Sequence, residues 1–243
     1  MLIPMMTSRV GWRFCVVADS LITGKGAARF DLVIFDWDGT LMDSLAQIVR
    51  SVKLAAIDLG VPEPTDAAAR DIIGLGLPEA MQILFPQVPA AEREALRQRY
   101  AHHFVSGVGG HSQPYVGAEA LLQQLQGQGR QLAVATGKSR LGLDRVLAHT
   151  GWGGYFSATR CADETASKPN PLMLKELLQV LNVPLARAVM IGDTHYDLEM
   201  AQRLGMASIG VTYGVHTGEQ LAQHAPIALC QDMSELAATL AAL

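Results

Sequence analysis

Asp36-Trp37-Asp38-Gly39-Thr40 sets two carboxylates two positions apart, directly behind the apolar run Leu32-Val33-Ile34-Phe35. Such a run, bounded by polar residues, reads as a buried parallel strand. In open α/β sheets, ligands and reactive groups gather at the carboxyl ends of strands. Asp36 and Asp38, at i and i+2, then share one side of the extended chain. Two close carboxylates repel unless a proton or a cation stands between them. A hard cation such as Mg²⁺, with a ligand that Mg²⁺ can hold, suits the pair.

Further polar groups stand at matching places. Thr136 follows Leu132-Ala133-Val134-Ala135 and precedes Gly137-Lys138; Lys168-Pro169 lies in a loop opening a helix; Asp193 follows Val189-Met190-Ile191-Gly192, with Asp197 four residues on. A hydroxyl, an ammonium and four carboxylates would converge in one cleft, and each has a task in phosphoryl transfer. Asp36 can attack phosphorus and carry it as an aspartyl phosphate. Asp38 can protonate the leaving oxygen and later take a proton from water. Mg²⁺ would bridge Asp36 and Asp193, and Lys168 would keep nucleophile and phosphate from repelling. Thr136 and nearby backbone N–H groups can donate to phosphate oxygens at a helix N-terminus, while Gly39 and Gly137 let the backbone approach the ligand.

Taken singly, each group has a plainer reading. Asp38-Gly39 is a turn signal, Thr136 a helix N-cap, Lys168 a solvated loop lysine, and Asp193 with Asp197 a cap and an exposed helix face. Their joint order and placement is what points to a site. His102-His103 point apart on a helix and make no metal pair. His195 reads as a solvated or packing residue, Trp37 as packing behind Asp36, and Lys138 as exposed.

The elements that must hold these groups alternate from residue 31 onward. Strands are expected at 31–36, 131–135, 155–159, 188–192 and 207–211, with helices at 117–128, 139–149, 170–181 and 195–204. Strands alternating with helices of this length imply a parallel sheet built of βαβ units. Residues 43 to 115 carry helical signals alone. Ser44-Leu45-Ala46-Gln47 matches a capping box, followed by Leu45, Ile48, Val49, Val52, Ala56 and Leu59 at helical spacing. Thr65 suits the cap of a second helix, Pro78 the first turn of a third, and 90–104 a fourth. Gly109 to Pro114 is rich in turn formers and suits a hinge.

Composition narrows the partners. Of 243 residues, 49% are hydrophobic and 17% charged, enough for a sizeable core and against global disorder. A net charge of −4 without a dense Lys/Arg block argues against nucleic acid. No apolar run approaches the roughly 18 residues that span a bilayer. Cys15, Cys161 and Cys230 match no zinc spacing and read as reduced thiols of a cytoplasmic protein. Residues 1–29 read as a loosely ordered extension or an upstream start; Asp19 interrupts their one apolar run before it becomes a signal-peptide core.

The stretch from Asp36 to Ser44 resembles motif I of the haloacid dehalogenase superfamily in its phosphatase branch. Thr136 looks like motif II, Lys168 like motif III, Gly192-Asp193-Thr194-His195-Tyr196-Asp197 like motif IV, and Pro114-Tyr115-Val116-Gly117 like the return from cap to core. The resemblance implies an α/β fold, a Rossmann-like parallel sheet core with an all-helical cap subdomain inserted after the first strand. The core would take 30–42 and 114–243 and the cap 43–113. It implies Asp36 as nucleophile and Mg²⁺ ligand, and Asp38 as acid/base with its backbone carbonyl on the metal. Asp193 becomes a metal ligand, Asp197 a second acidic position acting through water or by orienting Lys168, and Thr136 and Lys168 phosphate holders. The dehalogenases proper and the phosphonoacetaldehyde hydrolases lack the second motif I aspartate, so Asp38 points to phosphate esters. Gly74-Leu75-Gly76-Leu77-Pro78-Glu79 resembles the cap specificity loop of phosphoglycolate phosphatase-like enzymes, although a plain Gly-rich turn has the same composition. Arg70 reads first as an exposed helix arginine. The resemblance thus implies a Mg²⁺-dependent phosphatase of a small phosphorylated metabolite, monomeric or homodimeric, with a phosphomutase of the β-phosphoglucomutase type as the alternative.

Overall fold

A computed structural model of the chain describes residues 29–107 and 111–243. The expected N-terminal extension, apart from Arg29, and Gly109 and Gly110 of the expected hinge lie outside these residues.

The apolar run after Asp31 forms β1 (Leu32–Phe35), every residue of it buried. The two-residue β2 (Met42–Asp43) follows, then four helices: α1 (Leu45–Asp58), α2 (Asp66–Asp71), α3 (Leu77–Leu84) and α4 (Ala90–Ser106). The chain returns through β3 (Gln113–Pro114), which pairs antiparallel with β2. From there strand and helix alternate: α5 (Ala118–Gly127), β4 (Gln131–Thr136), α6 (Arg140–Thr150), β5 (Ala158–Cys161), α7 (Leu172–Leu181), β6 (Ala188–Gly192), α8 (His195–Leu204), β7 (Ala207–Val211), α9 (Gly218–Ala222), β8 (Ala228–Cys230) and α10 (Met233–Ala242).

The main sheet has the order β5-β4-β1-β6-β7-β8, and all its neighbours pair in parallel. The chain builds outward from β1 on one side through β4 and β5, then crosses back to build β6, β7 and β8 on the other. The switch in direction falls at β1, the place where such sheets open a crevice at their carboxyl edge. Alternate strand residues feed two cores. Val33, Phe35, Val134 and Ile191 pack with Leu122 and Leu236 on one face; Ile34, Ala133 and Met190 pack with Leu174, Leu177 and Met200 on the other. Apolar surface buried on both faces, at roughly 25 cal/mol per Å², fixes the strands whose ends carry the acidic groups. The helical insertion has its own apolar clusters, one around Val52, Met81, Phe85 and Leu96 and one around Ile48, Ile72, Ile73 and Ala80.

Thr65 caps α2 by accepting from Ala68 N, and Pro78 sits in the first turn of α3, as expected. Two local expectations are corrected. Ser44 makes no side-chain cap bond to α1. Its hydroxyl donates to Asp38 Oδ1 at 2.6 Å, and Gln47 instead bonds Phe104 and Ser112, so the capping-box residues serve long-range partners. The strand expected at 155–159 begins at Ala158, because Trp152–Tyr155 forms a short 3₁₀ turn. Trp37, Trp152 and Phe156 pack edge to face there, which pins these rings as a cluster. The short strand β8 escaped notice in the sequence.

Candidate active site

Asp36 follows the last residue of β1 and extends its ladder, donating its N–H to the Ile191 carbonyl at 2.9 Å. Asp193 follows β6, the neighbour of β1, and Asp197 lies in the first turn of α8. Adjacent parallel strands thus carry two carboxylates to one edge, and the helix opening after β6 adds a third. An oxygen from each of Asp36, Asp193 and Asp197 lies within 4.8 Å of the others, and all three residues are buried. Lys168 reaches this group with a side chain 0% exposed, its Nζ 2.6 Å from Asp36 Oδ1 and 2.7 Å from Asp197 Oδ1.

Each carboxylate is oriented separately. Asp193 accepts from Thr40 Oγ1 at 2.8 Å and from Val215 N at 2.9 Å. Asp197 Oδ2 accepts from Thr194 Oγ1 at 2.7 Å and Thr194 N at 3.2 Å, the reciprocal capping box of α8. Asp36 Oδ2 receives no hydrogen bond and is fully buried. Burial, reinforced by the neighbouring carboxylates, raises Asp36 well above the ordinary carboxylate range even with Lys168 pulling it down. Burial and Asp197 push Asp193 up to about 7. Burial alone would lower Lys168, but Asp197 and Asp36 outweigh it and hold the ammonium above its usual range.

Once all three carboxylates are ionised, the one lysine leaves two negative charges without a counterion in a buried space. Together with the orphaned Asp36 oxygen, this donor set fits a small divalent cation with oxygen preference.

Asp38 stands apart from that trio. Its Oδ1 accepts from Ser44, and its Oδ2 lies 2.9 Å from Lys138 Nζ, which also sits over the Phe104 ring at 4.6 Å. The expected exposure of Lys138 is therefore corrected: its side chain is only 10% exposed, because Asp38 and an aromatic face hold it. Thr136 ends β4 and is buried; the cap of α6 is Ser139, which accepts from Gly142 N at 3.2 Å. Thr136, Gly137, Asp36 and Asp38 line one wall of a cavity of about 190 Å³. Asp193, Asp197 and Lys168 do not line it. Gly39 has φ +82, and a side chain there would strike the Asp193 carboxylate. A side chain at Gly137 would press on the Leu75 and Gly74 carbonyls, so that glycine lets the insertion's loop close onto the core.

The loop Gly74–Glu79 does face the site, with Gly74, Leu75 and Leu77 lining the cavity and Gly76 N donating to Ser167 Oγ at 2.7 Å. Arg70 is exposed and lines no part of the cavity. Trp37 is buried packing, His103 pairs with Asp58, and His195 contacts His216. Sequence reasoning missed Thr40, Ser44 and Thr194, whose hydroxyls orient the acids. Their only signal was their position within the two Asp-rich motifs.

The fold and site define an α/β enzyme with a buried, lysine-paired acidic centre at the carboxyl edge of its sheet, beneath a helical insertion. Residues 33–211 match the family described as haloacid dehalogenase-like hydrolase. The chain is 38% identical over 209 residues to the probable phosphatase IndB of Dickeya dadantii, covering 84% of this chain and 91% of that protein. It is 31% identical over 215 residues to a phosphoglycolate phosphatase of Psychrobacter arcticus, covering 84% and 93%. Its fold matches the crystal structure of a "predicted phosphoglycolate phosphatase" from Haemophilus somnus with a TM-score of 0.80 at 24% identity, covering 88% of this chain and 99% of that one. The chain belongs to the haloacid dehalogenase-like hydrolase family.

Proposed function

We propose that this hydrolase is a Mg²⁺-dependent phosphatase that cleaves a small phosphorylated metabolite through an aspartyl phosphate on Asp36. In core and motifs it is phosphoglycolate phosphatase-like. The single observation that carries the reading is the Asp36 carboxylate. It sits at the end of the central strand and lines the cavity, with Lys168 on one oxygen and no hydrogen bond on the other.

In this reading the free oxygen of Asp36 attacks phosphorus as the ester P–O bond breaks, and Asp38 gives its proton to the departing oxygen. Asp38 then takes a proton from water, whose oxygen attacks the same phosphorus and releases inorganic phosphate and Asp36. Ser44 and Lys138 hold Asp38 toward the cavity for both transfers. The Thr136 hydroxyl and the N–H groups of the 136–138 turn donate to phosphate oxygens, and Lys168 keeps Asp36 in place and offsets its charge. Mg²⁺, held by Asp36 and Asp193 with Asp197 and the Asp38 carbonyl as further ligand positions, would neutralise charge on the transferring phosphoryl group.

Residues 43–113 are the cap in this proposal, closing over a core of 30–42 and 114–243. No helix among the described residues is long and apolar enough to cross a membrane. The free, buried thiols of Cys161 and Cys230 support a reducing, cytoplasmic setting, and the active unit is a monomer or homodimer. The test is phosphate release from a panel of phosphate esters with Mg²⁺, for native protein and Asp36→Asn. Removal of the nucleophile should abolish turnover; equal rates in the two would end the proposal.

A further inference from the structure

Resting on the phosphatase reading, we infer that the substrate is a phosphate monoester of a compact apolar alcohol, the size of one ring or a short branched chain, rather than of a two-carbon acid or a sugar. The wall opposite the carboxylates carries the argument. Every side chain that the helical insertion contributes to the cavity is hydrocarbon, apart from the hydroxyl of Tyr100. Ile48 and Ile73 come from one cluster of the insertion, Leu75 from the loop over Gly137, Leu77 from the start of α3, and Tyr100 and Phe104 from α4. No lysine, arginine, histidine or amide from the insertion lines the cavity among the described residues.

The apolar character runs out to the mouth. Val105 of α4 and Leu141 of α6, both in the lining, are 46% and 69% exposed. A solvent-facing leucine and valine beside an active site gain from a ligand that covers them. Arg145 stands one helical turn beyond Leu141 on α6, at the exposed rim. Lys138, the other cation of the lining, is already held by Asp38 and Phe104.

Size sets the rest. A cavity of about 150 Å³ lined by Leu, Ile and Phe takes a benzene molecule. Here about 190 Å³ must hold the body beside the phosphoryl group. That leaves room for one ring or a branched chain of similar bulk. The carboxylate of glycolate would stand one carbon from the ester oxygen, where Lys138 is already paired with Asp38, Arg145 is solvent-exposed and the insertion offers only hydrocarbon, so it would lose its water for at most a shared cation. Sugar hydroxyls meet the same wall, with Tyr100 as the one side-chain partner from the insertion. This weighs against the mutase alternative as well, since a sugar phosphate must turn over within that space.

The test compares alkyl esters of similar leaving-group chemistry with the native protein and Mg²⁺: benzyl phosphate, isopentyl phosphate, 2-phosphoglycolate and glucose 6-phosphate. The expected result is a kcat/KM for benzyl or isopentyl phosphate about 100-fold above the other two, the order that apolar pockets reach. In Leu141→Asn, an exposed position that leaves the core untouched, KM for benzyl phosphate should rise about fivefold, with a smaller change for 2-phosphoglycolate. p-Nitrophenyl phosphate serves as the reporter of phosphatase chemistry itself. If it is cleaved while 2-phosphoglycolate or glucose 6-phosphate outruns the apolar esters, the substrate inference falls and the phosphatase reading stands. If none of the esters, p-nitrophenyl phosphate included, releases phosphate, both fall.

Discussion

Lys168→Met tests the electrostatics of the site without any assumption about substrate. Methionine keeps the length and much of the volume of the lysine stem, so the change isolates the ammonium. That ammonium is 2.6 Å from Asp36 and 2.7 Å from Asp197, with no exposed side-chain surface. Breaking a buried ion pair from one side costs about 3–5 kcal/mol, because the abandoned charge stays buried. Here a trio of carboxylates is abandoned. For a chain of this length a loss of 1 kcal/mol lowers Tm by roughly 2–4 °C, so a fall on the order of 10 °C is expected in EDTA at pH 8. The loss should depend on pH in a known sense. Burial raises Asp36, and burial with Asp197 holds Asp193 near 7. Between about pH 4 and 7 the folded protein therefore keeps protons that the unfolded chain has released, and stability rises as pH falls through that window. The deficit of the variant should be largest at pH 8 and should shrink toward pH 5.5. Adding Asp197→Asn to the variant should restore more than half of it. Thermal melts of the metal-free proteins at the two pH values decide the matter. A variant that melts within 2 °C of the native protein at pH 8 would show that the lysine does not neutralise the acidic trio.

Three further outcomes follow from the same geometry. Mg²⁺ should raise Tm at pH 8 and bind more weakly as pH drops below about 7, because the proton on Asp193 competes for the same oxygens; calorimetric titration giving one affinity from pH 8 to 5.5 would contradict this. Ser44→Ala should lower kcat by about tenfold, near the low end of the roughly 1.5–3 kcal/mol of a hydrogen bond to a charged group, while Tm moves by less than 2 °C, since Ser44 orients Asp38 and makes no cap bond to α1. Gly137→Ala should leave the fold intact but push the Gly74–Leu75 carbonyls off the core, raising KM by about tenfold; steady-state kinetics with unchanged KM would show that this contact does not set closure.

What the sequence made legible follows the range of the interactions. β1, β4 and β6 were readable because each carries a run of consecutive apolar residues, β7 because Ala207, Ile209 and Val211 alternate with small residues, and the helices between the later strands carry their own periodicity and caps. Once those elements form a parallel sheet, chain geometry places Asp36, Thr136 and Asp193 at one edge. Their meeting needed no knowledge of any side-chain contact. The errors lie where a residue had a local option and a distant one. Ser44 and Gln47 match a capping box within four residues, yet the Ser44 hydroxyl turned to Asp38 and the Gln47 amide to Phe104 and Ser112. Lys138 is a solvated residue by type, and its partners Asp38 and Phe104 belong to other parts of the chain. Thr40 bonds Asp193 across 153 positions, a pairing no local pattern announces. The same distinction separates chemistry from specificity in this molecule. The reacting groups hang from strand ends, where topology fixes them, so a few spaced residues betray them. The apolar wall is assembled from α1, α4, α6 and the stretch from Ile72 into α3. Periodicity shows that Ile48 and Val52 are buried on one helix face, but not that this face also borders the cavity, because that depends on how four separate segments close around Asp36. Substituting wall residues while leaving the strand-end groups alone should therefore change which ester is taken without changing how its phosphorus is handled.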